Sequence, residues 1–149
     1  MHVMVPRIEL APEPNWADRV TLARALDALY DANVGRPSGW MALCVLLRDD
    51  DSDDGAVLGG VWGNTYSGWL QVELLFVPET LRGRGFGSRL MDVAEQEAVR
   101  RGCHAAWLET VSFLDPDFYE RRGYQVFAKL DDHPPGHSRL FLRRRLTGA

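Results

Sequence analysis

Cysteine is scarce: Cys44 and Cys103 are the only two in 149 residues, and they form no CxxC pair. That excludes a disulfide framework and a cysteine-rich zinc module, and leaves both as small buried hydrophobes. Lysine is scarcer still, with Lys129 alone beside sixteen arginines, a compositional bias that decides nothing about partners. Positive charge is in deficit: seventeen basic against twenty-one acidic residues give a net charge of −4, with pI near 5.5. No chain-wide positive field exists to hold nucleic acid or an anionic membrane. Long apolar runs are missing too. Met41 to Leu47 falls far short of the ~20 residues a membrane helix needs, and the amino terminus carries no signal-peptide core. These absences predict a cytoplasmic protein with neither nucleic acid nor membrane as partner. With 46% hydrophobic and 26% charged residues and no repeat, the chain reads as one domain over residues 1–149.

Val3 to Leu10 mixes apolar and polar residues like an edge strand, stopped by Pro12 and Pro14. Asn15 is placed to cap an amphipathic helix from Trp16 to about Ala32, with Leu22, Leu26, Leu29 and Tyr30 at helical spacing. Asn33 to Trp40, broken by Gly35, Pro37 and Gly39, is a loop. Trp40–Arg48 and Ala56–Thr65 flank the acidic stretch Asp49 to Asp54 and read as a hairpin with a solvated tip. The spaced ligands and distal Glu of a calcium loop are missing there, so no metal is expected. Past the Ser67-Gly68 turn, Trp69–Val77 is apolar enough for a central strand. Alternation puts Leu70, Val72, Leu74 and Phe76 on one face and Trp69, Gln71, Glu73 and Leu75 on the other, bringing an amide and a carboxylate together. Leu90, Met91, Ala94 and Ala98 make the apolar stripe of a helix over Gly87–Arg101, with Gly102 as its left-handed cap. Ala105–Thr110 is a strand, Pro116–Arg122 a short helix, and Gln125–Leu130 and Ser138–Leu146 the last strands. The order is strand, helix, three strands, helix, strand, short helix, two strands, which predicts an α/β (α+β) fold, a mixed sheet with helices on its faces.

Between the central strand and the second long helix stands Arg82-Gly83-Arg84-Gly85-Phe86-Gly87-Ser88. Glycines let the backbone approach a ligand and adopt positive φ, so that successive N–H groups point outward at the positive end of a helix. An anion such as a pyrophosphate suits that place. No Gly-Lys-Ser/Thr follows as a P-loop requires, and Ser88 breaks GxGxxG. The bland reading is a Gly-rich turn without ligand.

At this heptad the sequence resembles the GNAT-type N-acetyltransferases. Their acetyl-CoA signature is Gln or Arg, two residues, Gly, one residue, then Gly or Ala, which Arg82, Gly85 and Gly87 meet; Val77-Pro78-Glu79 resembles the usual lead into it. A second family motif, an aromatic-Tyr pair with Gly-Tyr or Gly-Phe a few residues on, is matched by Phe118-Tyr119 and Gly123-Tyr124. The resemblance runs from about Ala42 to Phe127. It implies a GNAT-like, largely antiparallel twisted sheet with helices on both faces, in which a splayed parallel pair, here Trp69–Val77 and Ala105–Thr110, holds acetyl-CoA. Backbone amides of Leu75, Phe76 and Val77 would hold the pantetheine arm and polarise the thioester carbonyl. Amides of Gly83, Arg84, Gly85, Phe86, Gly87 and Ser88 would hold the pyrophosphate, with Arg82 and Arg84 adding charge.

Tyr119 resembles the family tyrosine near the cofactor sulfur, a proton donor to the departing thiolate; its alternative is core packing. The acceptor amine is mostly protonated at neutral pH and needs a proton acceptor, for which Glu73 and Glu109 are the candidates; each has a structural ion pair with an arginine as its alternative. His133 and His137 lie on a turn and are weaker candidates for that role, His137 being also a candidate on the substrate side. Two departures stand out: Ser112 occupies the place of a cofactor-bonding Asn, and Arg122 replaces an apolar residue before Gly123. Trp40, Tyr66 and Trp69 are candidates to line a pocket for a cationic acceptor. The leading expectation is an acetyl-CoA-dependent N-acetyltransferase acting on a small-molecule or peptide amine, with a homodimer common in proteins of this kind. Its rivals are a non-catalytic acyl-CoA sensor and a phosphate- or nucleotide-binding structural domain.

Overall fold

The computed structural model describes every residue except His2 and Ala149. The chain divides into two compact units, Met1–Ser38 and Gly39–Ala149.

In the first unit the edge strand expected over Val3–Leu10 does not form; those residues take no regular secondary structure. Pro6 removes a ladder donor inside the stretch, and Arg7 pairs with Glu9 two residues away. Helix α1 spans Trp16–Val34, with the Asn15 side chain accepting from the Ala17 amide at 2.8 Å. Gly35 closes it in the left-handed region, its N–H donating to the Asp31 carbonyl.

The second unit is a six-stranded sheet: β1 (Met41–Arg48), β2 (Val57–Tyr66), β3 (Trp69–Phe76), β4 (Ala105–Val111), β5 (Gln125–Asp131) and β6 (Ser138–Arg145). Their order is β1-β2-β3-β4-β6-β5, antiparallel at every step except β3–β4, which is parallel. Between β3 and β4 run a 3-10 turn, Glu79–Leu81, and helix α2, Phe86–Arg100; helix α3, Pro116–Arg121, links β4 to β5. Ser67 and Gly68 both have positive φ and make the tight β2–β3 turn.

Leu90, Met91, Ala94 and Ala98 of α2 bury against Leu43, Val61, Leu70 and Val72, with Ala106, Leu108, Tyr124 and Leu142 completing the core. Each fully buried leucine there contributes about 2 kcal/mol. Arg101, the C-cap of α2, donates to the Ala42 carbonyl at 3.0 Å and the Thr65 hydroxyl at 3.2 Å, fastening the helix end to β1 and β2.

The predicted alternation along β3 fails after Val72. Leu74 and Phe76 are 65% and 56% exposed, whereas Leu75 packs against the core. The reason is a bulge: Trp62 pairs with Leu74 but Gly63 with Val72, so Glu73 is one residue too many and the two faces exchange.

Candidate functional site

The parallel ladder between β3 and β4 holds for four pairs, from Trp69↔Ala105 to Val72↔Leu108, and then stops. Beyond it β4 continues against β6 through Glu109, Thr110 and Val111, while β3 continues against β2. The two strands therefore open a wedge bordered by Glu73 to Val77 on one side and Glu109 to Ser112 on the other. The bulge sits at its apex.

At the wide end of the wedge stands the glycine loop. Gly83 and Gly85 have φ of 73° and 82°, and nothing lies within 4 Å of where a side chain would start. Left-handed residues alternating in a turn aim successive N–H groups at one point. Gly85 is the N-cap of α2, and the first intrahelical bond runs from the Arg89 amide to the Gly85 carbonyl at 3.0 Å. The amides of Phe86, Gly87 and Ser88 precede that bond and have no helical acceptor. Arg82 donates through Nε to the Val77 carbonyl at 3.0 Å, tying the loop to the end of β3. Arg84 and Arg89 each lie 5.3 Å from the Phe86 ring centre. Cations gathered at a positive helix end repel it unless an anion sits between them. Arg89 was not among the predicted residues; its place in the first turn of a helix lacking acidic residues there is the signal that finds it.

Gln71 and Glu73 are linked through a third residue. The Asn64 amide, 5% exposed, donates to Gln71 Oε1 at 3.2 Å and to Glu73 Oε1 at 2.8 Å. Glu109 instead accepts from Arg139 Nη1 at 3.2 Å, and Arg139 Nε donates to His133 Nδ1 at 3.1 Å. Its carboxylate is thus held in the ion pair weighed as its structural alternative. His137 lies edge-on to the Phe113 ring at 4.8 Å. Ser112 accepts at its hydroxyl from the Ser138 amide, 3.1 Å away, which leaves the hydroxyl hydrogen to donate elsewhere.

Tyr119 of α3 packs against the core, its ring 5.0 Å from Phe118 and 6.0 Å from Tyr124. Burial, aided by the nearby Asp115 carboxylate, pushes its phenol up to about 12. The Phe118 ring lies against Gly87, with a Cβ there meeting it at 3.5 Å, so α3 and the glycine loop touch.

Arg122, the departure from the family pattern, is far from idle. Its side chain is only 10% exposed, and Nη1 donates to the Ser88 hydroxyl at 2.8 Å and the Ser88 carbonyl at 3.1 Å. Nη2 donates to Asp92 at 2.8 Å and to Glu95 at 3.1 Å. Glu95, buried on α2, also accepts from Arg144 Nη1 at 2.8 Å and from the Tyr124 hydroxyl at 2.9 Å. Burial, reinforced by that carboxylate, drives the Tyr124 phenol well above its ordinary value.

The aromatic trio Trp40, Tyr66 and Trp69 does not line the wedge. Tyr66 pairs with Trp69, and Met41, next to Trp40, pairs with Thr65, so all three lie at the opposite end of β3 from Phe76. At ~3.3 Å per residue that end is roughly 20 Å away. A cavity of about 580 Å³ opens there, lined by Trp69, His104, Gln125 and Arg143 to Arg145, and no predicted acid, base or phosphate-binding residue borders it.

The model of the Acetyltransferase (GNAT) family matches residues 9–124. Over 106 residues the chain is 42% identical to acetyltransferase Atu2258 of Agrobacterium fabrum, covering 69% of this chain and 73% of that one. Over 93 residues it is 41% identical to the blasticidin-S acetyltransferase of Streptomyces morookaense, covering 62% and 68%. It superposes on a crystal structure from Agrobacterium tumefaciens with TM-score 0.83 at 34% identity, covering 94% of this chain and 99% of that one.

Proposed function

Because the chain belongs to the acetyltransferase (GNAT) family, N-acetyltransferases that use acetyl-CoA, we propose that it moves the acetyl group to a primary amine of a small molecule by direct attack in a ternary complex. The observation that supports this most is the wedge at the end of the parallel ladder with the glycine loop at its wide end. A narrow opening with free strand amides suits an extended acyl-pantetheine arm, and a nest of N–H groups beside arginines suits two phosphates. When bound, acetyl-CoA supplies a thioester carbonyl carbon to the attacking amine.

Of Leu75, Phe76 and Val77, the amides on the edge turned away from β2 hold the arm and stabilise charge developing on the carbonyl oxygen. Gly83 to Ser88 hold the pyrophosphate through their amides, with Arg82 and Arg84 adding charge-assisted contacts. Ser112 has one hydroxyl hydrogen left for the ligand. Glu73, oriented by Asn64, takes the ammonium proton directly or through one water. Tyr119 donates a hydrogen bond to the departing sulfur. A phenol held up at about 12 is a weaker acid than an ordinary thiol, so it shares its proton rather than surrendering it. A small-molecule acceptor is favoured by the likeness to an enzyme named for blasticidin S.

The test is calorimetric titration with acetyl-CoA, with CoA, ATP and NAD as competitors, followed by an amine screen read by thiol release. Micromolar binding selective for acetyl-CoA, with thiol released on adding an amine, is the expected result. Selective binding without turnover on any amine would leave the sensor reading, and no binding at millimolar concentration would remove both.

A further inference from the structure

We propose that Arg122 is a positioning residue for the pyrophosphate cradle, acting through Ser88; the inference rests on the acetyl-CoA site described above. Ser88 is the third residue of α2, so its amide is among those with no helical acceptor. A hydroxyl carries one donor and two acceptor sites. Arg122 occupies an acceptor site of the Ser88 hydroxyl from 2.8 Å and also holds its carbonyl from 3.1 Å. A guanidinium cannot accept, so the hydroxyl hydrogen is turned away from it, and the side chain becomes a second donor beside the Ser88 amide. Arg122 thereby fixes both the place and the polarity of Ser88.

The guanidinium is itself held from the opposite side. Asp92 and Glu95, one and two turns further along α2, accept from Nη2, and Arg144 and Tyr124 share the Glu95 carboxylate. The fork thus makes all four of its hydrogen bonds to α2, and the Glu95 end of that grip is itself fixed by Tyr124 and by Arg144 of β6. An apolar residue in this position packs but cannot orient a hydroxyl. Lysine supplies charge without the planar fork, so it reaches Ser88 or the carboxylates but not both in fixed geometry.

The experiment compares acetyl-CoA with S-acetylpantetheine, which carries the same thioester arm but neither phosphates nor adenosine. Calorimetry is run on the intact wild-type chain and on Arg122→Met, Arg122→Lys, Ser88→Ala and the Arg122→Met/Ser88→Ala pair. Arg122→Met is expected to weaken acetyl-CoA about tenfold, the size of one lost charge-assisted contact, and to leave S-acetylpantetheine within about twofold. Ser88→Ala should show the same donor-selective loss, and the double variant should lose less than the two singles combined. Arg122→Lys should recover only part of the affinity. Equal weakening of both ligands by Arg122→Met, full additivity in the double variant, or unchanged acetyl-CoA affinity overturns the proposal. If Arg122→Met does not fold, Ser88→Ala with Arg122→Lys decides it by the same two-ligand comparison. A wild-type chain that binds the two ligands equally overturns the cradle itself, which separates that failure from this one.

Discussion

Glu73 and Glu109 stand on neighbouring strands at the two sides of one wedge, yet their surroundings differ in kind. Glu109 is held by a cation, Arg139, and taking up a proton would break that pair. Glu73 is held by a neutral amide, Asn64, which orients the carboxylate without competing for its charge. A proton acceptor must be free to gain a proton, so of the two it is Glu73 that suits the proposed role of base. The expected outcome is a loss of about 100-fold in kcat/KM for Glu73→Gln and less than about threefold for Glu109→Gln, measured with the best amine of the screen. Reversed magnitudes would move the role to β4. Sequence alone puts the two carboxylates at comparable levels, because it shows neither Arg139, thirty residues from Glu109, nor Asn64, nine residues from Glu73.

At the scale of elements the bulge in β3 stands where the wedge opens, and it depends on β2. A side chain at Gly63 would start 2.1 Å from the Gln71 carbonyl oxygen, closer than any real contact. Only glycine lets the strands approach where Gly63 meets Val72 and Glu73 is squeezed out of register. Gly63→Ala is therefore expected to push β3 away, costing about 2 kcal/mol in denaturant unfolding and weakening acetyl-CoA by more than about tenfold. A variant of unchanged stability and affinity would show that the bulge does not need this close approach. The elements themselves were legible locally: the Asn15 cap, the Ser67-Gly68 turn, the apolar stripe of α2 and the glycine heptad are all short-range patterns. The exchange of faces after Val72 was not, because a bulge belongs to a pair of strands and period-two reading assumes one strand alone. Val3–Leu10 failed for a related reason, since alternation suggests a strand but cannot supply its partner.

For the second unit as a whole, the glycine loop, the tyrosine of α3 and the last strands are linked through one buried carboxylate. Glu95 gathers Arg122, Arg144 and Tyr124, and Tyr124 touches Tyr119. These partners lie 27, 49 and 29 residues away from Glu95, which is why the sequence left Arg122 without a role. Both phenols are held neutral by the fold, Tyr119 up to about 12 and Tyr124 further still. Below pH ~10 each is protonated in folded and unfolded chain alike, so neither adds a slope there. Above that pH an unfolded chain releases these protons while the folded chain keeps them. The folded state then binds more protons, and stability falls as pH rises, through about 12 in the case of Tyr119. The denaturant midpoint of the wild type is expected to drop steeply over this window, with Tyr119 accounting for about 2 kcal/mol of the loss. Tyr119→Phe removes that ionisation, so its midpoint should decline less between pH 10 and 12, whatever its stability at pH 8. Parallel declines in the two proteins would mean that Tyr119 ionises as an exposed phenol does, and that the packing of α3 against the core is looser than its ring contacts with Phe118 and Tyr124 imply.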